Sequence, residues 1–529
     1  MNTDSPSDNQ THVQRRPDDR YSTHVVQIVS ITCIISVLLV FAYSVRDYYV
    51  DDAFIGFQFL RNVMHGYGFV FYPGQRPVEG ITNIGWLALI APFSVLFDIP
   101  TLAKGAGLVL TATTVLLEYW LVLRITKNTA PPAIFTIIAC VVPSLFLVVD
   151  YDFTYFSLAG METGLLAAVL LFMAVWSIAH PDSPVLAIAG WYAFLIHPEA
   201  CIVFPVYWIA IFVLRKEKRT NLIPALVLYL ALLALTTLAR VGYFHAPLPN
   251  TYTAKSVPTL VMVYNLFMTW FGRNVNIPFP FATLLIFPIL LAGGARIARF
   301  SRPLTMMLGS IIVTGLLISV YARQDWTQTG RYFAPYMPAT LIVLWLGLLD
   351  VFEKVLSVNL RDLGRILSLI FAAGLIVLAL FDTALRLSPA QISQYPGYVL
   401  TSQSLISPAL WLRENLPADA VIATRRIGAV SFYSDRRVFD YMFGLTDPAV
   451  ARLVAQHGTP FDSPDDKALE SIWLQVRPGY LLEDQSDVEL LIKQVHGTAN
   501  DFEVHGMHYH VIKEFPIGQN VNWVLAASY

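Results

Sequence analysis

VVQIVSITCIISVLLVFAYSVRDYYVDD, residues 25–52, decides how the rest of this 529-residue chain is read. Val25 to Tyr43 is an apolar run of the length a helix needs to cross the hydrocarbon core of a bilayer. It is long for the core of a signal peptide and no small-x-small cleavage site follows it, so it reads as a retained anchor. Close behind it stand two adjacent aspartates, Asp51 and Asp52. The polar stretch 1–24 ahead of the run, with Pro, Ser and Asp throughout, reads as a disordered cytoplasmic tail.

Outward from that segment the same pattern repeats. The chain is 56% hydrophobic and 14% charged, well short of the charge that a soluble protein carries. Further apolar runs occupy 101–123, 131–149, 160–179, 184–196, 200–214, 221–240, 279–294, 303–321, 335–352 and 364–386. The expected fold is a polytopic α-helical membrane protein of about eleven transmembrane helices. The runs 184–196 and 200–214 flank His197-Pro198-Glu199 and read as short spans broken at the proline, which a protein-lined cavity tolerates. Residues 84–98 read as re-entrant or interfacial, and 258–272 as interfacial. The net charge of −2 and the lack of a basic tract exclude a nucleic-acid partner. Cys33, Cys140 and Cys201 have neither metal-ligand nor disulfide-framework spacing and read as small buried apolar residues.

Basic residues mark the cytoplasmic side. Arg15, Arg16 and Arg20 place the N-terminus inside. With eleven spans, Arg124/Lys127, Arg215/Lys216/Lys218/Arg219, Arg296/Arg299/Arg302 and Lys354/Arg361/Arg365 also fall inside. The odd count leaves the chain beyond residue 388 outside. There the pattern turns polar, with a helix expected over Ser407–Asn415 and strands over Ala420–Thr424, Val430–Tyr433, Tyr480–Leu482, His508–Lys513 and Trp523–Ala527. Three parts follow: the tail 1–24, a membrane domain 25–387 with a first outer loop at 46–83, and an extracytoplasmic α/β domain 388–529.

This sidedness gathers the unusual polar residues on one face. They are Asp51, Asp52, Glu79 and Asn83 in the first outer loop, then Asp150 and Asp152, Glu162, His197 and Glu199. Arg240, His245, Asn250, Tyr252 and Lys255 follow, and finally Asp325 and Arg331. Charged groups at span ends are costly unless paired or functional, so an outer cavity is expected. Asp51-Asp52 precede AFIGFQFLRNVMHG, a helical pattern suited to the membrane surface. Asp52 as an N-cap would explain one carboxylate and leave the second. Transfer of a sugar from a phosphate-linked donor needs chiefly one carboxylate base for the acceptor hydroxyl, without the second carboxyl of a glycoside hydrolase. Arg240, His245 and Lys255 suit a lipid phosphate, or simply reach the headgroups. Asp51, Asp52 and Glu162 offer oxygen ligands for a divalent cation, Mg²⁺, Mn²⁺ or Ca²⁺.

Asp51-Asp52-Ala-Phe-Ile, His65-Gly66-Tyr67-Gly68-Phe69 and Glu79-Gly80-Ile-Thr-Asn83 with Trp86 resemble the first outer loop of the GT-C glycosyltransferase superfamily. With Gly160-Met-Glu-Thr163, Pro198-Glu199, Leu248-Pro-Asn-Thr-Tyr252, Lys255, Gly330-Arg-Tyr332 and Trp411-Leu-Arg-Glu-Asn415, they are most similar to its terminal β-(1→2)-arabinofuranosyltransferase-like branch. The resemblance implies a polyprenyl-phosphate-linked sugar donor, a glycan, glycolipid or protein acceptor, and transfer outside the cytoplasmic membrane. It also implies an aspartate base in the first outer loop, at Asp51 or Asp52. His197 stands where that branch often has arginine, and Arg425-Arg426 is more basic than its relatives. The alternatives are a flippase for lipid-linked saccharides, which would want ionisable residues along a path through the bilayer, and a non-catalytic scaffold binding wall polymer.

Overall fold

The computed structural model describes residues 17–127, 133–254, 280–321, 331–355, 402–457, 467–485, 500–518 and 521–529, with isolated positions between them. The helices are α1 (Pro17–Ser44), α2 (Asp51–Met64), α3 (Ile84–Ile90), α4 (Ile99–Lys127), α5 (Ala133–Val149), α6 (Tyr151–Leu158), α7 (Thr163–Ala179), α8 (Pro184–Ile196), α9 (Val203–Leu214), α10 (Ile223–Phe244), α11 (Asn250–Ala254), α12 (Pro280–Phe300), α13 (Arg302–Tyr321) and α14 (Met337–Val355). The C-terminal part adds α15 (Ser402–Asn415), β1 (Val421–Ala423), α16 (Ile427–Ser434), β2 (Arg437–Phe439), α17 (Pro448–His457), α18 (Lys467–Val476), β3 (Tyr480–Asp484), β4 (Asp501–Val504), β5 (Met507–Gly518) and β6 (Val521–Ser528).

Among the described residues five helices are long and apolar enough to cross a membrane, or six if the pair α5–α6, bent by 61°, counts as one span. The shorter apolar helices α7, α8 and α9 add to the body among the described residues, α8 and α9 being separated by a 3₁₀ turn at Pro198–Ile202. Proline explains that break: Pro198 has no N–H to continue the helix, and the residue before it is driven extended, as His197 is at φ −152°. The run 84–98 holds a short helix, Ile84–Ile90, followed by a 3₁₀ turn, Ala91–Phe93. The stretches 258–272 and 364–386 lie outside the described residues, apart from Gly374, so the expectation of eleven spans is not decided there. Residues 1–16 lie outside as well, and α1 begins at Pro17, ahead of the expected anchor start.

The C-terminal part carries one six-stranded sheet in the order β2-β1-β3-β6-β5-β4. β2, β1 and β3 pair in parallel and β3, β6, β5 and β4 antiparallel. Its own core holds Trp473 with Phe439, Tyr441 and Tyr509. One expected strand is corrected: Val430–Tyr433 lies inside helix α16. Its apolar, β-prone residues suit a strand locally, but the amides that open the helix find their acceptor far away in sequence, on Asp51. Strands β2 and β4 were not expected.

α2 is also corrected. It does not lie on an open surface. Asp51, the run Ala53–Leu60, and Asn62 are all buried, because α16 covers one side of the helix while the membrane body covers the other. Phe54 packs on Phe432 and Tyr433 at centroid distances of 5.4 and 5.3 Å. Behind α2, Lys104 donates to the carbonyls of Val45, Tyr48 and Leu158 and fixes the entry loop. Gly160, at φ +89°, lets that turn pass Phe57 and Ala53, where a Cβ would come within 3.1 and 3.2 Å.

Candidate active site

The two aspartates part company in the first turn of α2. Val50 holds the N-cap position and neither aspartate caps its own helix, which corrects the N-cap expectation for Asp52. Asp51 is 6% exposed. Its Oδ2 accepts from the Gly428 amide at 3.0 Å and its Oδ1 from the Ala429 amide at 2.8 Å. Asp51 thereby supplies the first turn of α16 with the acceptors that a local cap would give. Burial raises its carboxyl above the ordinary range, against which those two amides and the Arg426 charge act.

Asp52 turns instead into a cavity. Its Oδ2 lies 2.8 Å from Arg331 Nη1, with side-chain exposures of 31% and 11%. Glu162, His197, Glu199, Asn83, Tyr252 and Tyr332 share the lining with them. Glu162 sits at the start of α7, where the helix dipole favours a carboxylate. It accepts from Asn83 Nδ2 at 2.7 Å and lies 3.7 Å from His197 Nε2. The other ring nitrogen of His197 contacts Glu199. The broken helix α8–α9 thus delivers an imidazole between two carboxylates, and the cavity holds three carboxylates, one guanidinium and one imidazole.

Other expected residues lie elsewhere. Arg240 forms a buried fork with Glu79, at 2.8 Å from Nε to Oε2 and 2.8 Å from Nη2 to Oε1, and neither lines the cavity. Its charge is matched by Glu79. His245 ends α10 in the left-handed region at φ 57° and is exposed. Asn250 donates through Nδ2 to the Gly444 and Leu445 carbonyls at 2.7 and 3.0 Å. Asp150 caps α6 through the Phe153 amide at 2.8 Å, and neither it nor Asp152 reaches the cavity lining. Lys255 and Asp325 lie outside the described residues.

The cation set Asp51, Asp52 and Glu162 is not assembled, because both Asp51 oxygens are committed to amides. Among the described residues no group of three or more His, Cys, Asp or Glu side chains is arranged to hold a metal ion.

Thr251, Met161 and Leu445 also line the cavity and were not singled out from sequence. Thr251 and Met161 lie inside the quoted motifs 248–252 and 160–163. Leu445 comes from the sheet domain, and nothing local marks it.

The chain is similar in fold to ArnT. The crystal structure of ArnT from Cupriavidus metallidurans bound to undecaprenyl phosphate matches with a TM-score of 0.51 at 13% identity, over 94% of this chain and 97% of that one. A polytopic helical membrane body with a C-terminal sheet domain, the architecture of that structure, is therefore the fold of this chain. A family model described as a domain of unknown function, DUF8728, matches residues 396–527, which hold the sheet. No curated protein matches the chain.

Proposed function

We propose that the chain is an integral-membrane glycosyltransferase that moves a sugar from a polyprenyl-phosphate donor to an envelope glycan, glycolipid or protein. The observation that carries this is the pairing of Asp52 with Arg331 in a cavity that Glu162, His197 and Glu199 also line. A carboxylate beside a guanidinium supplies both needs of the reaction. Asp52 takes the proton of the acceptor hydroxyl as that oxygen bonds to the anomeric carbon. The bond from that carbon to the phosphate oxygen breaks, and the lipid phosphate leaves with the electron pair. Arg331 meets the charge that grows on it. Attack opposite the leaving group inverts the anomeric centre.

The lipid donor draws support from the fold shared with a protein crystallised with undecaprenyl phosphate. Arabinofuranose as the sugar rests on the motif resemblance. The outer face of a bacterial cytoplasmic membrane as the site of transfer, with the N-terminus inside and the sheet domain outside, rests on the basic clusters. The test is transfer from radiolabelled polyprenyl-phosphoryl sugars by the full chain in detergent. Asp52→Asn is expected to lower the rate by about 10²- to 10⁴-fold. Undiminished activity in both single Asp→Asn variants and in the double variant would overturn the assignment.

A further inference from the structure

We infer that the C-terminal sheet domain is a wall of the donor cavity, and that Asp51 is the positioning residue that holds it there. The inference rests on the reading of the cavity as a donor site, and it gives the matched domain a role.

Four separate ties bind this domain to the first loop and to α11. Both Asp51 oxygens accept from the first amides of α16. Arg61, three turns along α2, donates through Nη1 to the Phe432 carbonyl at 2.7 Å and reaches Asp435 at 3.2 Å, so α16 is held at both ends. Gln75 donates to the Thr446 carbonyl. Asn250 donates to Gly444 and Leu445, and its own amide donates to the Glu79 carbonyl at 2.8 Å. These ties flank Leu445, which lines the cavity beside Gly80, Thr251 and Asp52. The turn that carries Leu445 is built on Asp440, whose oxygens accept the Phe443 and Leu445 amides.

The approach at Asp51 is close by construction. A Cβ on Gly428 would collide with the Asp51 main-chain carbonyl, so glycine alone lets the amide reach the carboxylate. Successive residues in a helix point about 100° apart. With Asp51 fixed on α16, the neighbouring Asp52 is turned into the cavity. Loss of the Asp51 acceptors leaves two buried amides unsatisfied and frees both the rotation of α2 and the Leu445 turn.

The experiment is hydrogen exchange followed by mass spectrometry on the full chain in detergent, for wild type, Asp51→Asn, Asp51→Ala and Gly428→Ala. The expected result is exchange in 427–434 and 443–446 that is about tenfold or more faster in Asp51→Ala and Gly428→Ala. Asp51→Asn keeps one acceptor oxygen and falls between them and wild type. Peptides of α4 and α7 stay protected as in wild type, which separates undocking from misfolding. Protection of 427–434 unchanged in Asp51→Ala would overturn the inference, and so would loosening of 427–434 that leaves 443–446 untouched. These readouts need no substrate, so a wild-type chain that transfers no sugar defeats the proposed function and leaves the exchange result to judge the docking. Where transfer is measurable, Asp51→Asn is expected to raise the donor KM more than it lowers kcat, whereas Asp52→Asn acts on kcat.

Discussion

Asp52 and Arg331 meet at 2.8 Å across the cavity, although 3₁₀ and helical elements from most of the membrane body intervene between them in sequence. The pair joins the first loop to the turn before α14. It also makes the two residues separable by experiment. Arg331→Gln removes the cation and leaves the base, so the donor KM is expected to rise by about tenfold or more, the scale of one lost charge-assisted contact. A donor analogue lacking the phosphate charge should bind both proteins alike. Equal KM values for the charged donor in wild type and Arg331→Gln would contradict the role.

Glu79 and Arg240 predict stability, not catalysis. Their fork is 2% and 4% exposed, and removing one member strands the other charge. Arg240→Gln is expected to cost about 3–5 kcal/mol, read as a fall in melting temperature in detergent. Glu79→Gln in the same chain should recover part of that loss, since the stranded charge goes with it. A melting temperature unchanged in Arg240→Gln would show that the fork contributes nothing.

The sheet domain carries a built-in pH dependence. Glu483 accepts from Tyr441 and the Arg425 amide at 2.9 and 2.7 Å, yet burial pushes its carboxyl up to about 7. Burial pushes Asp440 up to about 6 in the same way. Between the unfolded and folded pKa values the native state binds more protons than the unfolded one, so stability falls as pH rises through that window. For Glu483 the penalty is complete above about pH 7 and relieved toward the ordinary glutamate range. Melting followed from pH 8 to 5 should show wild type gaining on Glu483→Gln on the order of 2 kcal/mol. Parallel curves for the two proteins would refute the assignment.

Gly160 offers a steric test. An alanine there must take a left-handed backbone and press on Phe57 and Ala53. Gly160→Ala is expected to destabilise by about 1–3 kcal/mol and to loosen exchange in the first turn of α2. A fully stable variant would mean that the turn relaxes without cost.

Much of the cavity was legible because charge at the end of an apolar run is expensive. Asp52, Glu162, His197, Glu199 and Arg331 all stand out in that way, and all meet. The same logic misplaced Arg240 and Glu79, since a residue that solves its charge by pairing looks identical in sequence to one that awaits a ligand. Asp51 was singled out with Asp52 and yet differs in kind, because its partners at Gly428 and Ala429 are remote backbone amides with no side-chain signature. For that reason too α16 read as a strand. Lys104 was missed, though a single lysine in the run 101–123 was visible and its reach to three carbonyls is what such a residue does.

The sheet order has a consequence for biogenesis. β6 lies between β3 and β5, so the parallel and antiparallel halves cannot join until residues 521–528 have left the ribosome. During synthesis the membrane body is therefore inserted while its cavity still lacks one side. A nascent chain at that stage carries Asp52 and Glu162 without the Leu445 turn beside them, and the strand order itself sets when the cavity is complete.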